Sequence, residues 1–139
     1  MTRVLVDTGP LVAILSPRDE YHEACVATLR NLSGPLFSCW PVITEAAWLL
    51  RKWPRAVQQL LHSIDGELLE LLPLTGREGN EVSALMRRYE EIRPQLADAS
   101  LIYLANREQI DTIFTLDRRD FSIYRSGRRR PFRILPEVE

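Results

Sequence analysis

The sequence predicts an α/β domain in which a parallel sheet carries helices on both faces. Three observations lead there. Strand-like and helix-like stretches alternate along the chain, the pattern of repeated βαβ units. The first stretch, Arg3-Val4-Leu5-Val6-Asp7, is apolar at consecutive positions, as in a strand buried on both faces. A helix expected over 99–108 carries Leu101, Ile102, Tyr103, Leu104 and Ala105, so it has almost no polar side and belongs inside, against a sheet.

The bulk properties bound the answer without naming it. A chain of 139 residues is expected to form one domain, 1–139, burying roughly two-thirds of its unfolded surface. With 45% hydrophobic and 27% charged residues it has ordinary globular composition, and a net charge of −1 points to no partner. Arginine is unevenly spread: Arg118, Arg119, Arg125, Arg128, Arg129, Arg130 and Arg133 crowd one stretch, while Lys52 is the only lysine. Cys25 and Cys39 make neither a C-x-x-C pair nor a disulfide framework, so both read as buried thiols. The N-terminus lacks a basic and apolar leader, and no apolar run approaches the ~20 residues of a membrane span. A cytoplasmic protein without membrane contact is the expectation. There is no repeat, low-complexity tract or linker.

In order, the first strand ends at Asp7, and Thr8-Gly9-Pro10 turns the chain into a helix through Leu15, with Pro10 suited to its first turn. Asp19 is expected to start a second helix whose Tyr21, Cys25, Leu29 and Leu32 recur at helical spacing. Ser33-Gly34-Pro35 ends it, and 36–39 is the second strand. Trp40 and Pro41 open a third helix to Leu50. Trp53-Pro54 breaks it, and Val57, Leu60, Leu61 and Ile64 mark a fourth. These two helices read as core, with a dimer surface as the other use of their apolar stripes. Residues 67–72 form the third strand. Thr75 and Glu78 have capping-box spacing before a helix with Val82, Leu85, Met86, Tyr89 and Ile92 on one side. Asp98 stands at the entrance of the next helix, 112–116 is a strand ending at Asp117, 118–121 is a turn or short helix, and 132–135 is the last strand.

Four carboxylates stand out. Asp7 and Asp117 end parallel strands, at the sheet edge where α/β domains bind ligands. Asp7 and Asp98 equally suit capping of the helices they precede. Glu45 is the only charged residue between Leu36 and Leu50, and a carboxylate in such company is costly unless paired or bound to a cation. Asp120 either joins these acids or pairs with an arginine. If the four converge, each like-charged pair at ~4 Å costs on the order of 4 kcal/mol at an effective dielectric of about 20, which a divalent cation relieves. Only oxygen ligands are on offer, and these select Mg²⁺ or Mn²⁺ over zinc. Phosphodiester hydrolysis follows from such a site, with Arg118, Arg119, Arg128, Arg129 and Arg130 as candidate RNA contacts, or as a solvated loop balancing the acids.

Val6-Asp7-Thr8-Gly9-Pro10-Leu11, Thr44-Glu45-Ala46, Leu96-Ala97-Asp98-Ala99-Ser100-Leu101 and Thr115-Leu116-Asp117-Arg118-Arg119-Asp120-Phe121 resemble the four acidic motifs of PIN-domain ribonucleases, and their spacing is most similar to VapC-type toxins of bacterial toxin–antitoxin pairs. The resemblance spans nearly the whole chain. It implies a PIN-like three-layer fold with a central parallel sheet of about five strands. It also implies Mg²⁺- or Mn²⁺-dependent RNA endonuclease activity, with 5′-phosphate and 3′-hydroxyl products. Asp7, Glu45, Asp98 and Asp117 match the catalytic acids, with Asp7, Asp98 and Asp117 as metal ligands and Thr8 and Asp120 in support. A homodimer and an inhibiting antitoxin are further implications. The competing reading is a PIN-like binding module without chemistry. A haloacid-dehalogenase-type phosphatase is rejected, since it needs a second Asp where this chain has Gly9.

Overall fold

The computed structural model describes residues 2–138, apart from the side chain of Arg128. Five strands lie side by side: β1 (Val4–Val6), β2 (Leu36–Ser38), β3 (Leu69–Leu71), β4 (Thr112–Phe114) and β5 (Arg133–Leu135). All neighbours are parallel, in the order β3-β2-β1-β4-β5. The chain steps outward from β1 through β2 to β3, then crosses back to place β4 on the other side of β1. That reversal between β1 and β4 is a topological switch point, where adjacent connections leave in opposite directions and open a crevice.

Among the described residues seven α-helices connect the strands: α1 (Thr8–Leu15), α2 (His22–Arg30), α3 (Trp40–Leu49), α4 (Pro54–Asp65), α5 (Gly79–Arg88), α6 (Leu96–Glu108) and α7 (Arg118–Phe121). The central strands are buried as their apolar runs predict, with Val4, Leu5, Val6, Ile113 and Phe114 no more than 3% exposed. Helix α6 buries Leu101, Ile102, Leu104 and Ala105 completely, as its missing polar side requires. Each of the two leucines and the isoleucine contributes roughly 1.5–3 kcal/mol of burial. Gln109 ends α6 in the left-handed conformation, donating its N–H to the Ala105 carbonyl.

Several local boundaries differ from the sequence reading. Helix α6 starts at Leu96, so Asp98 is its third residue and not its entrance. Gln95 is the cap, and the two side chains form a reciprocal capping box. Helix α2 starts at His22, because the Asp19 side chain instead accepts from the Tyr21 N–H in the preceding turn. Strand β3 is shorter than expected, since Glu67 adopts a left-handed φ of 66° that no strand tolerates. The Thr75–Glu78 box is present and caps a 3₁₀ turn, Gly76–Glu78. Cys25 and Cys39 are buried free thiols. No helix of the described residues is long and apolar enough to cross a membrane.

Candidate active site

The crevice beside β1 and β4 gathers the acids. Asp7 follows β1 directly and caps α1: its Oδ1 accepts from the Thr8 N–H at 2.8 Å, and its Oδ2 accepts from the Thr115 hydroxyl at 2.7 Å. Asp7 is only 7% exposed, and burial pushes its carboxyl up to about 6 despite both hydrogen bonds, with Asp98 and Glu45 adding to the rise. Asp98 enters from the first turn of α6, where its Oδ2 accepts from the Gln95 N–H at 3.0 Å. Its carboxyl is raised first by desolvation and then by the charges of Asp117, Glu45 and Asp120.

Asp117 stands three residues beyond β4 and caps α7, its Oδ1 accepting from the Asp120 N–H at 3.1 Å. It was expected at the strand end; Thr115 and Leu116 intervene. Asp120 is raised by desolvation and by Asp117, while Arg119 opposes the shift. Glu45 projects from α3, half-buried, into a cleft it shares with Ala97, the neighbour of Asp98. Five carboxylates from four separate parts of the chain are therefore linked by charge, with Asp98 at the centre: it feels Glu45, Asp117 and Asp120, and Asp7 feels Asp98 and Glu45. Among the described residues none of them forms an ion pair with Arg, Lys or His.

Whether a hard cation suits these residues turns on two observations. The donor set is all oxygen, and the Thr8 hydroxyl beside Asp7 is buried without a hydrogen-bond partner, which is an unmet polar atom at the site. Among the described residues no group of three acids, histidines or cysteines is drawn tight enough to hold an ion directly. That looseness matches Mg²⁺, which keeps several waters and takes only one or two carboxylates from the protein. The residues fit a hydrated hard cation.

Sequence reasoning passed over two residues. Thr115 is fully buried, and its hydroxyl joins the acids, donating to Asp7 and accepting from the Asp117 N–H at 3.0 Å. A threonine two positions before an acid at a strand end was the available signal. Tyr124 is also fully buried, its hydroxyl has no partner, and burial and then Asp98, Asp120, Asp117 and Asp7 push it upward. No sequence spacing marks it.

The predicted arginines scatter. Arg119 is exposed and close enough to Asp120 to influence it. Arg118 donates to the Pro136 carbonyl at 2.7 Å. Arg130 lines a small hollow with Gln109 and Asp111, at the end of the sheet opposite the acids, and Arg129 lies on the same exposed turn. The side chain of Arg128 lies outside the described residues.

Residues 4–126 match the family profile described as PIN domain. The chain belongs to the PIN-domain family. This PIN domain is 27% identical over 135 residues to Ribonuclease VapC26 of Mycobacterium tuberculosis (strain ATCC 25618 / H37Rv), covering 96% of this chain and all of that protein. The crystal structure of Mycobacterium tuberculosis VapC20, described as a Sarcin-Ricin loop cleaving toxin, superposes with a TM-score of 0.77 at 15% identity, over 84% of this chain and 91% of that one. At that identity the second likeness speaks for the fold alone. The five-stranded parallel sheet is the PIN-like α/β architecture that the motifs implied.

Proposed function

We propose that this PIN domain is a toxin-type RNA endonuclease dependent on Mg²⁺ or Mn²⁺. The observation that carries the reading is the gathering of Asp7, Glu45, Asp98, Asp117 and Asp120 at one switch-point crevice, where among the described residues none is in an ion pair and only Arg119, beside Asp120, opposes their charge. A structural acid cluster acquires arginines, whereas a cluster left unpaired keeps a place for a cation that arrives from solution. The full-length likeness to a ribonuclease supports RNA as the substrate.

Asp7, Asp98 and Asp117 would hold the hydrated ion, one or two of them directly and the rest through its waters; Asp7 already accepts hydrogen bonds at both oxygens, Asp98 and Asp117 at one each, and lone pairs remain. Thr115 fixes the relation between Asp7 and Asp117, and Thr8 offers its unpartnered hydroxyl. When bound, the cation polarises a phosphoryl oxygen and lowers the pKa of water. Glu45, which lines the neighbouring cleft, would accept the proton that the attacking water releases, and the departing 3′ oxygen would take a proton from solvent. Arg119, exposed beside Asp120, would balance phosphate charge. Cleavage leaves a 5′-phosphate and a 3′-hydroxyl. The proposed setting is cytoplasmic, as a homodimer held inactive by a cognate antitoxin.

The test is cleavage of mixed cellular RNA with Mg²⁺, with Mn²⁺ and with excess EDTA. Cutting with either metal and none in EDTA is the expected result. Cutting that persists in EDTA contradicts the metal role, and no cutting of any RNA leaves a PIN domain that only binds.

A further inference from the structure

We propose that the outer face of α3, continuing round its corner with α4, is a docking strip on which bases of single-stranded RNA stack beside the acidic crevice. The inference rests on the nuclease reading and adds to it the path of the substrate.

All three tryptophans of the chain stand on this strip, Trp40 at 59%, Trp48 at 62% and Trp53 at 56% exposure. Large aromatic rings left in solvent together mark a binding surface. Trp40 and Trp48 are eight residues apart on one helix, ~12 Å apart along its axis and ~80° apart around it. Together they line an open cleft of about 520 Å³ between α3 and the start of α6. Glu45 lines it too, with Ala97, the neighbour of Asp98, so the aromatic strip reaches the edge of the acidic crevice.

Cations alternate with the rings. Arg51, Lys52 and Arg55 are exposed around Trp48 and Trp53, and among the described residues none of them is in an ion pair. The Arg51 guanidinium lies 3.9 Å from the centroid of the Trp48 ring, held there by a hydrogen bond to the Trp48 carbonyl at 2.9 Å. Rings for bases, interleaved with charges for phosphates, is how proteins hold single strands without reading their sequence. The charges also favour RNA over a second copy of this chain. A two-fold contact sets the same patch against itself, which brings the unpaired cations of both copies together, whereas a polyanion neutralises them.

The experiment measures anisotropy of a labelled, unstructured 12-nucleotide RNA in EDTA, so that nothing is cut, and KM for the same RNA with Mn²⁺. Trp48→Ala and Trp53→Ala should each weaken binding roughly 5- to 150-fold, the measured range for one stacked base, and raise KM similarly while kcat holds. Trp48→Phe should restore most of the loss. Arg51→Gln, Lys52→Gln and Arg55→Gln together should flatten the log–log salt dependence by about 2. Sedimentation of each variant reports its oligomeric state. Unchanged RNA affinity and KM in the tryptophan variants overturns the strip. So does conversion of a dimer to monomers with RNA affinity intact, which assigns the face to a second copy. If the wild type neither binds nor cuts RNA, it is the nuclease reading that fails; if it cuts and the variants match it, only the strip does.

Discussion

The two ends of α6 treat charge in opposite ways. Near its C-terminus Arg107 bonds Glu78 and Glu108, each at 2.7 Å, and reaches the Pro73 carbonyl at 2.7 Å. Hydrogen bonds from Tyr103, the Thr75 backbone and Arg107 hold the Glu78 carboxyl down at about 2. Near its N-terminus Asp98 meets Asp117, Glu45 and Asp120, and its carboxyl moves upward. One helix thus carries a finished structural network and an unfinished acidic cluster. The first is complete within the chain. The second holds like charges together with no ion pair among the described residues to relieve them, which is the physical mark of a site awaiting a ligand.

Breaking the unfinished end should have the largest effect. Asp98→Asn keeps an oxygen to accept the Gln95 N–H but removes the charge, so RNA cleavage should fall at least about a thousandfold, on the order of 4 kcal/mol, with the far-ultraviolet dichroism unchanged. A well-folded variant that cuts normally separates Asp98 from the chemistry.

Asp7→Asn sharpens the contrast through stability. The folded carboxyl, raised from 3.8 to about 6, favours the protonated form, so its stabilising contribution is full below pH ~4 and is lost as pH rises through 6. Metal-free Asp7→Asn should therefore be more stable than wild type at pH 7.5, by up to about 3 kcal/mol, and should lose that advantage below pH ~4. Denaturant melts at the two pH values check this; a destabilised variant at pH 7.5 would show that the hydrogen bonds of Asp7 outweigh its burial.

Thr115→Val removes the hydroxyl that joins Asp7 to Asp117. It should weaken Mn²⁺ binding about 10- to 100-fold, as loss of a group orienting metal ligands does, measured by calorimetry. At the finished end, Arg107→Met should lower Tm by roughly 2–4 °C and leave cleavage unaltered. The Glu78 contribution is present above pH 4.5 and fades as the pH falls toward 2, so wild type and variant melts should converge in acid.

This difference between the ends was half legible in the sequence. The strand at Val4–Val6 and the interior position of α6 were readable because continuous apolarity leaves a segment nowhere else to go. The four motif acids were readable as a set through their resemblance to PIN-domain motifs. Their supports were not: Asp98 moved from helix entrance to third residue because Gln95 is the better-placed cap, which only local geometry decides. Thr115 acts across the sheet, on a residue 108 positions away, and no spacing rule reaches that far. Apolarity misled at α3, a helix read as core with a dimer surface as its other use, where Trp40 and Trp48 face outward. Charge clustering misled at 129–130, because two arginines near Asp117 in sequence fold to the other end of the sheet.

A titration of Mn²⁺ into the metal-free protein at pH 6, where the Asp7 carboxyl is about half protonated, followed by calorimetry in buffers of different ionisation enthalpy, tests the cation site most directly. The account predicts saturable binding with release of protons, abolished in Asp98→Asn and Asp117→Asn. Binding of equal strength in those variants, or none in the wild type, contradicts it.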